Sequence, residues 1–497
     1  MNAAVPAPIA HPESFFIDGQ WLKPSGTKQI EVINSGTEEL FFRVAEAAAA
    51  DIDRAVSAAR RAFDDGPWPR MTHKERAGYL NAIGAEMAHR AGDAARIWTT
   101  ESGITHGLST TTTNAVGDIY AYYAAMAETF PFVEQKPPSS GAGAGFLVRE
   151  PVGVVAAIIP WNGPPLLLAY KCAPALLAGC TLIVKASPEA PGAAYLLAEI
   201  CEKVGLPPGV INVLTADREV SELLVRNPDV DKVAFTGSTA AGRRIASICG
   251  DRVARCTLEL GGKSAGVILD DCDVEKAAQA IAGFATYLTG QVCASLTRII
   301  VSRPRHAAMV EALSAAFGSA KVGDPFDAAT KMGPLATCRQ RDRVEGYIAK
   351  GKAEGATLAT GGGRPRHLER GFFIEPTVFG NVSNDSIIAR EEIFGPVISV
   401  IPADNEADAI RIANDTIYGL NAAVFTDDVD KAWAVARQLR SGTVGHNRYR
   451  TDWTIGFGGF KQSGIGREGG TQGVMSFLES KTVLLDGVPS VLAGSAS

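Results

Sequence analysis

Short β-branched runs alternate with helical periods between Pro151 and Leu269, and this alternation constrains the fold more than any other feature of the chain. It predicts strands at 152–159, 181–184, 210–214 and 232–235, and helices at 165–177, 189–204, 219–225 and 240–248. Ser187-Pro188-Glu189 predicts the start of the second helix, because serine caps helix N-termini and proline tolerates the first turn. Strands and helices that alternate in this way form a parallel sheet.

A second α/β run begins at Ala265. Here the pattern predicts strands at 265–269 and 297–302 and helices at 274–288, 304–317, 404–414 and 430–439. Lys136 to Phe146 is rich in Pro, Gly and Ser, which predicts a connection rather than a core element. The 497 residues are enough for about three domains of ~150 residues. We therefore predict an α/β fold with two doubly wound parallel-sheet units and a smaller third element.

The composition excludes several classes of partner. Charges of both signs are interspersed and leave a net charge of -6, without the concentrated basic face that nucleic acid requires. The longest apolar run, Cys172 to Val184, has 13 residues and falls short of the ~20 that span a bilayer. Met1 to Pro12 lacks the basic and apolar segments of a signal peptide. We therefore expect a cytoplasmic protein with neither a nucleic-acid partner nor a membrane association.

Cysteine and histidine spacings give no metal-binding pattern. The 8 cysteines contain no C-x-x-C pair and the 7 histidines no H-x-x-x-H pair, so we expect no metal site. In a large cytoplasmic chain, seven of these thiols are expected to be reduced core residues. Cys293 is the exception, because Gly290 breaks the preceding helix and can expose the thiol. The local pattern alone also allows a core residue at this position.

Polar groups at three further positions indicate chemistry at the ends of predicted strands. Glu259 interrupts an apolar strand, where a carboxylate is costly unless it is paired, hydrated or used. Asn162 follows the first strand, at the edge where open α/β sheets bind ligands. Gly237-Ser238 opens a helix whose free amides can bind an anion. Ordinary structural turns are the alternative at both Asn162 and Gly237.

Together these segments resemble the aldehyde dehydrogenase superfamily, in its NAD(P)-dependent, non-acylating form. The resemblance is carried by PWN at 160–162, Lys185, FTGST at 235–239, LELGGK at 258–263, GQVC at 290–293, EEIFGPV at 391–397 and GFGGFKQSGIGRE at 456–468. It implies a Rossmann-like cofactor domain at 1–128 and 152–261, a catalytic domain at 262–474, and bridging or oligomerisation segments at 129–151 and 475–497. It also implies a homodimer or homotetramer.

The resemblance assigns catalytic roles to three of these residues. It implies that Cys293 is the nucleophile that adds to an aldehyde carbon. The Asn162 amide and the Cys293 backbone N–H would stabilise the oxyanion of the resulting thiohemiacetal. Hydride loss to NAD(P)+ would leave a thioester, which water activated by Glu259 would hydrolyse to the carboxylic acid. Family members that pass the acyl group to coenzyme A typically lack this glutamate.

The resemblance also implies NAD as the cofactor. NADP stays open, because Pro188 stands where NAD-preferring members often carry a glutamate. Lys185 is expected near the adenosine ribose, and Glu392 with Phe394 at the nicotinamide ribose; for Glu392 an ordinary acid at a helix start is the alternative. The other expected cofactor residues are Ile158, Pro160, Trp161, Ser187, Gly237, Ser238, Leu260 and Gln340.

The substrate is expected to enter along the helix that follows Asn162. The predicted lining consists of Leu166, Leu167, Tyr170, Leu288, Val292 and Phe457. Because a charged substrate would need a paired group to offset its desolvation, this lining favours an uncharged aromatic, terpenoid or medium-chain aldehyde as the small-molecule partner. The alternatives are a thiol hydrolase or esterase that uses Cys293, and a non-catalytic member of the fold.

Overall fold

The computed structural model describes residues 7–492. The helices are α1 (Ala49–Asp64), α2 (His73–His89), α3 (Ala91–Ser102), α4 (His106–Asn114), α5 (Val116–Thr129), α6 (Pro164–Ala178), α7 (Gly192–Val204), α8 (Arg218–Arg226), α9 (Thr239–Asp251), α10 (Val274–Ala285), α11 (Arg303–Gly318), α12 (Cys338–Ala353), α13 (Ile387–Arg390), α14 (Glu406–Asn414), α15 (Val429–Ala436) and α16 (Gly470–Met475). Short 3-10 helices lie at Trp68–Arg70, Tyr287–Gly290 and Lys461–Ser463.

The strands belong to four sheets in the described part of the chain. They are β1 (Phe15–Ile17), β2 (Gln20–Leu22), β3 (Gln29–Ile33), β4 (Leu40–Ala45), β5 (Val133–Lys136), β6 (Ala144–Pro151), β7 (Val154–Ile158), β8 (Thr181–Ala186), β9 (Ile211–Thr215), β10 (Lys232–Thr236), β11 (Arg255–Glu259), β12 (Ser264–Ile268), β13 (Leu296–Ser302), β14 (Thr357–Thr360), β15 (Thr377–Gly380), β16 (Val397–Ala403), β17 (Asn421–Phe425), β18 (Thr443–His446), β19 (Gly464–Ile465) and β20 (Leu478–Leu485). The small sheet formed by β3 and β4 is antiparallel.

An eight-stranded sheet, ordered β19-β11-β10-β7-β8-β9-β1-β2, forms the first unit. Its central strands from β11 to β9 are parallel, while β19, β1 and β2 pair antiparallel at the edges. Val155 and Ala157 pack on one face with α2, α5, α6 and α7, and Val154 and Ala156 pack on the other with α1, α8 and α9. Burial on both faces explains why these strands are almost wholly apolar.

A seven-stranded sheet, ordered β14-β15-β16-β13-β12-β17-β18, forms the second unit. It is parallel except for β14. Helices α12, α14 and α15 cover one face, and α10 and α11 cover the other. The predicted α/β fold class with two doubly wound parallel sheets is confirmed.

A three-stranded antiparallel sheet, ordered β20-β6-β5, lies outside both units. The predicted bridging segments supply all of its strands. The expectation of a connection from Lys136 to Phe146 is wrong at both ends, since β5 includes Lys136 and β6 begins at Ala144, with Phe146 buried. Strand β6 forms because β20 pairs along its whole length, a contact that local composition does not reveal. The range predicted for the catalytic domain also supplies β19 to the first sheet.

Three predicted helices extend three residues too far at one end, so these boundaries are wrong. The helix expected to reach Leu439 ends at Ala436, because the Gln438 and Leu439 N–H groups bond carbonyls only three residues earlier. The helix expected from Glu189 begins at Gly192, because the Ser187 hydroxyl bonds the Glu189 carboxylate at 2.5 Å and the intervening residues form a turn. The helix expected to reach Leu288 ends at Ala285, since the backbone then turns left-handed.

The expectation that seven cysteines are core residues is also wrong in two cases. Cys338 is exposed at the start of α12, and Cys256 is only half-buried in β11. Within residues 7–492, no helix combines the length and apolar character needed to cross a membrane.

Candidate active site

The expected site residues follow the carboxyl ends of neighbouring parallel strands in the first sheet. Asn162 follows β7, Lys185 lies near the end of β8, Gly237 follows β10, and Glu259 ends β11. The register sets Thr236 of β10 opposite Glu259, so these ends lie at one level. Open α/β sheets bind ligands at this edge.

The second sheet contributes residues from the amino ends of its strands. Cys293 lies just before β13, and Glu392 shortly before β16. Gly261 and Gly262, which join β11 to β12, bring them close: a side chain at Gly262 would clash with the Cys293 carbonyl, and one at Gly261 with the Glu392 carboxylate. The Gly262 N–H donates to Glu392 Oε1 at 3.1 Å. The cleft therefore lies between the carboxyl edge of one sheet and the amino edge of the other.

The loop before Cys293 is held in an uncommon conformation. Leu288, Thr289 and Gly290 have φ values of 47°, 54° and 71°, a left-handed run that residues with side chains rarely adopt. The buried side chain of Gln291 secures it by donating to the Leu288 carbonyl at 3.0 Å and accepting from the Ala336 N–H at 2.9 Å. Such strain persists only where surrounding contacts hold it, as they do here.

The Cys293 thiol is half-buried beside two carboxylates. Burial, followed by the charges of Glu392 and Glu259, raises its pKa to about 12, and the backbone N–H groups of Ala294 and Cys293 oppose that rise. The thiol is therefore protonated at neutral pH, and it must lose its proton before it can act as a nucleophile.

Glu259 is buried and lacks a hydrogen-bond partner among residues 7–492. Its side chain is 3% exposed, and neither carboxylate oxygen has a partner there. Burial, then the charge of Glu468, raises its pKa well above 4.5, while Lys171 and Arg467 act in the opposite direction. A carboxylate with a raised pKa is a stronger base, which suits proton abstraction near neutral pH.

An ion pair that the sequence reasoning missed lies next to Glu259. Lys171 of α6 pairs with Glu468, and both side chains are almost completely buried. Lys171 also donates to Thr236 Oγ1 at 2.7 Å, directly opposite Glu259 in the sheet. A lysine inside the otherwise apolar helix α6 was the available signal, because buried charges are rare unless they are paired.

One hydrogen bond orients the Asn162 side chain and leaves the second hydrogen of its amide available for a ligand. Its Nδ2 donates to the Gln291 carbonyl at 3.0 Å, and an amide nitrogen carries two hydrogens. The backbone is fixed as well, since the Trp98 indole donates to the Asn162 carbonyl at 2.8 Å and the Ser102 hydroxyl to the Trp161 carbonyl at 2.6 Å. Trp98, Ser102 and Gln291 are positioning residues that the sequence reasoning did not identify.

The end of β8 forms a compact charged cluster. Burial lowers the pKa of Lys185 to about 8, while Glu189 acts in the opposite direction. The Glu189 carboxylate accepts from the Ser187 hydroxyl at 2.5 Å and from Arg339 at 2.5 Å. Glu189, which directly follows Pro188, is therefore close enough to Lys185 for their charges to interact.

The turn between β10 and α9, where the sequence predicts anion-binding amides, is bonded to β11 at Glu259. The Gly237 N–H donates to the Glu259 carbonyl at 3.0 Å, and Ser238 caps α9 by accepting from a backbone N–H. Leu260 packs against Gly242, where a side chain would clash with it. The amides of the first turn of α9 are thus presented beside Glu259, with the positive helix end directed at the cleft.

Glu392, Phe394 and Trp161 form the other wall of the cleft. The rings of Trp161 and Phe394 meet edge to face, with centroids 5.3 Å apart. Phe394 has a φ of 63°, and its carbonyl accepts from Gln340 Nε2 at 2.7 Å. Burial raises the pKa of Glu392 to about 7. Glu392 is not a helix-start acid, since α13 has already ended at Arg390. Two further expected cofactor residues, Ile158 and Pro160, lie at the end of β7 and just beyond it.

Comparisons with known proteins agree with this geometry. Residues 21–483 match the model of the Aldehyde dehydrogenase family. The chain belongs to the aldehyde dehydrogenase family. It is 43% identical over 477 residues to geranial dehydrogenase of Castellaniella defragrans, across 96% of this chain and 99% of the relative. It is 39% identical to a betaine aldehyde dehydrogenase of Amaranthus hypochondriacus, across 95% of each chain.

Solved structures give the same result. A crystal structure of Mycobacterium tuberculosis aldehyde dehydrogenase complexed with NAD+ has a TM-score of 0.93 and 45% identity, and the match covers 95% of this chain and 98% of that chain. The family resemblance and the expectation of an aldehyde dehydrogenase, an oxidoreductase, are thereby confirmed.

The expected substrate residues of this aldehyde dehydrogenase lie in three places. Leu166, Leu167 and Tyr170 are half-buried on the first turns of α6. Leu288 and Val292 belong to a separate apolar cluster with Trp98. Phe457 is half-buried and exchanges backbone hydrogen bonds with Glu468, at 2.6 and 2.8 Å.

Tyr449 is a pocket residue that the sequence reasoning missed. It stacks on Phe284 with ring centroids 3.5 Å apart. Burial raises the pKa of its hydroxyl, and the charges acting on that hydroxyl include Cys293, Tyr170 and Tyr287. Tyr449 and Phe284 therefore form an aromatic wall within electrostatic range of the Cys293 thiol.

A cavity of about 1060 Å³ lies away from these residues, between the start of α4 and helices α10 and α11. None of the expected substrate residues lines it. The chemistry of the side chains, rather than the size of a cavity, therefore locates the candidate active site.

Proposed function

We propose that this chain oxidises an aldehyde to a carboxylic acid, with NAD+ as the electron acceptor and a thioester on Cys293. The supporting observation is that a half-buried thiol, a buried carboxylate without a partner in the described structure and an oriented amide meet in one cleft. They are Cys293, Glu259 and Asn162.

The first step is the addition of the thiolate to the aldehyde carbon. The proton leaves Cys293 for Glu259, whose raised pKa makes it an acceptor. The new oxyanion accepts hydrogen bonds from the free N–H of Asn162 and the backbone N–H of Cys293. When bound, NAD+ supplies the acceptor for the hydride that leaves the substrate carbon.

The second step is hydrolysis of the thioester. Glu259 first passes the proton that it took from Cys293 to solvent, and its carboxylate then takes a proton from the water that attacks the acyl carbon. That proton goes to the departing sulfur, so the carboxylic acid and the thiol are released. The carboxylates that act most strongly on Cys293 are Glu392 and Glu259, so a cysteine–histidine hydrolase has less support than a dehydrogenase.

The residues around the cleft fit a dinucleotide. The first turn of α9 offers amides to a pyrophosphate, and the buried Thr239 lies within that turn. Lys185 would hold the adenosine ribose and Glu392 the nicotinamide ribose. Glu189 favours NAD over NADP, because its carboxylate would repel a 2′-phosphate beside Lys185. The similar Mycobacterium tuberculosis enzyme is complexed with NAD+.

We infer an uncharged aromatic, terpenoid or medium-chain aldehyde as the substrate. The apolar residues of α6 and the aromatic wall at Tyr449 support this class, as does the similarity to geranial dehydrogenase. A quaternary ammonium aldehyde is the second candidate, because aromatic faces also bind cations and one relative is a betaine aldehyde dehydrogenase.

A substrate panel separates the two candidates. The ratio kcat/KM is measured with benzaldehyde, hexanal, geranial, betaine aldehyde and succinate semialdehyde, each with NAD+ and NADP+. We expect the uncharged aldehydes and NAD+ to be preferred; a clear preference for either charged aldehyde would refute the substrate assignment.

Two substitutions test the reaction itself. Cys293→Ala should abolish NAD+ reduction while cofactor binding persists, and Glu259→Gln, which removes the proton acceptor of both steps, should slow turnover by about 10²-fold or more. Cys338→Ala, at an exposed thiol, is the matched control and should retain activity. Substantial dehydrogenase activity in Cys293→Ala, or ester cleavage without NAD+ reduction in the parent chain, would contradict the proposal.

We also propose that the chain is a cytoplasmic homodimer or homotetramer assembled through the three-stranded sheet. Its outer strand β20 carries exposed apolar side chains, Leu484 among them at 68% exposure, and an unpaired strand edge favours association. Light scattering after gel filtration gives the assembly state, and Leu484→Asp should weaken the assembly.

The cytoplasmic location is supported by the cysteines. All 8 of them are free, as expected in a reducing compartment, and cell fractionation tests the location.

A further inference from the structure

Two cysteines outside the active site lie against each other in the first unit. Cys249 is in the last turn of α9, and Cys256 is near the start of β11. The chain reverses between them, and the Ala254 N–H donates to the Cys249 carbonyl at 2.9 Å. Both side chains belong to the apolar cluster on this face of the sheet, and each thiol shifts the pKa of the other. The fold thus brings the two thiols close together.

The two thiols differ in their surroundings. Cys249 is 1% exposed, whereas Cys256 is half-buried and can be reached from solvent. The hydrogen bond with Cys249 lowers the pKa of Cys256, and the nearby ammonium of Lys232 adds to that effect. Lys232 is itself held in place by donating to Thr257 Oγ1 at 2.6 Å. Cys256 is therefore the more nucleophilic thiol, and Cys249 is its neighbour on the interior side.

Other cysteines outside the active site do not combine solvent access with a neighbouring thiol. Burial raises the pKa values of Cys172 and Cys180 to about 12 and about 11, which makes their thiols inert. Cys338 is exposed on the surface of α12, where it contacts Asp342 and Arg341. Cys256 differs from them because it is accessible and has a second thiol within reach.

We propose that Cys249 and Cys256 form an oxidative modification site, in which a peroxide converts the two thiols to a disulfide. The Cys256 thiolate attacks one peroxide oxygen, the O–O bond breaks, and the sulfenic acid of Cys256 and one water are produced. The Cys249 sulfur then attacks the Cys256 sulfur, the S–O bond breaks, and a second water leaves with the thiol proton. Two electrons pass from the sulfurs to hydrogen peroxide, and a thiol reductant reverses the reaction.

The position of this bond predicts its effect on the enzyme. It would join the end of α9 to the start of β11, whereas the candidate cofactor and catalytic residues Ser238 and Glu259 lie at the opposite ends. Cys249 is about 16 Å along the helix from Ser238, at 1.5 Å per residue. We therefore expect turnover to survive the modification and the melting temperature to rise, since a cross-link restricts the unfolded chain.

Trypsin provides a direct test, because it separates the two cysteines. Cleavage after Arg244, Arg252, Arg255 and Lys263 places Cys249 in peptide 245–252 and Cys256 in peptide 256–263. The full-length protein is treated with hydrogen peroxide in the presence of NAD+, alkylated in denaturant and digested without reductant. The expected product is the cross-linked pair of peptides, lighter by two hydrogen atoms than their sum, and dithiothreitol should separate it.

Two variants complete the test. Cys256→Ser should abolish the cross-link, whereas Cys338→Ser, which removes an exposed thiol, should leave it unchanged. The proposal is overturned if peptides 245–252 and 256–263 are both recovered as alkylated thiols while Cys293 or Cys338 is oxidised. Accumulation of Cys256 sulfinic acid without the cross-link would also overturn it. The peptide measurement on the parent protein decides the matter even if a variant does not fold.

Discussion

At the scale of single residues, Glu259 depends on charges buried next to it. Burial raises the pKa of Glu259 most, the Glu468 charge raises it further, and the Lys171 charge lowers it. Glu468 and Lys171 form a buried ion pair with each other. Each charge can be removed separately by a substitution that keeps the size of the side chain. The strength of the base thus depends on burial and on two neighbouring charges outside the proposed catalytic residues.

Opposite shifts of the pH profile are expected from the two members of this pair. Glu468→Gln should lower the pKa of Glu259, so the acidic limb of kcat against pH moves to lower pH by on the order of one unit. Lys171→Met should move that limb to higher pH. Steady-state rates across the pH range measure both, and circular dichroism checks folding, because breaking a buried pair costs about 3–5 kcal/mol. Shifts in the same direction would refute the assignment.

Cofactor preference is also a property of one side chain. Glu189→Gln removes the carboxylate beside Lys185 and should raise the NADP+ to NAD+ ratio of kcat/KM by roughly tenfold, or ~1.4 kcal/mol. Glu479→Gln, at an ion pair on the remote strand β20, is the control and should leave the ratio unchanged. An unchanged ratio in Glu189→Gln would show that the choice is made elsewhere.

At the scale of elements, the loop between α10 and β13 determines where the nucleophile lies. A side chain at Gly290 would meet the backbone of Gly395, and its φ of 71° also disfavours one. We expect Gly290→Ala to lower kcat by more than about tenfold, because a small displacement of a catalytic group is costly. Kinetics with a saturating aldehyde measure this effect.

Gly283→Ala is the matched control for that loop. Gly283 lies within α10, where an added methyl meets open space. This change should leave kcat intact and raise the free energy of unfolding by about 0.5–1 kcal/mol, since alanine favours a helix over glycine. Equal losses of activity in Gly290→Ala and Gly283→Ala would show that the conformation of the loop does not position the nucleophile.

At the scale of the whole molecule, a histidine couples pH to the docking of the bridging segment. The His73 ring at the start of α2 stacks on Phe132 with centroids 3.5 Å apart. Burial, followed by the charge of Arg76, lowers the pKa of His73 from 6.5 to about 4. Between these pH values the unfolded chain binds a proton that the folded chain does not, so stability is complete above the upper value and falls towards the lower one.

His73→Phe should therefore flatten the dependence of melting temperature on pH in that window. The stack is kept and the titrating group is lost. After allowance for solvent screening of this partly exposed ring, the expected effect is about 1–2 kcal/mol. Calorimetry at several pH values measures it, with exposed His89→Gln as the control. If the two variants keep the same slope, His73 does not carry the effect.

The fold class was predictable because the information is local. Apolar strand runs and helical periods follow each other along the chain, and parallel strands with crossover helices allow few arrangements. Cys293, Glu259 and Asn162 were visible for a similar reason, since each places a polar or reactive group where the surrounding pattern is apolar or turns. Their proposed roles depended on the family resemblance rather than on spacing.

The contacts that tune these residues were not predictable from the sequence. Lys171 and Glu468 are separated by 297 positions, and β20 pairs with β6 across the chain. The chain reversal between Cys249 and Cys256 is short, but whether their thiols lie close together depends on how α9 packs on the sheet. The sequence by itself determined the elements and the reactive groups, because propensity and hydrophobic period act over a few residues. Only the tertiary structure decided which charges meet in the interior, because burial and packing bring together side chains that are remote along the chain.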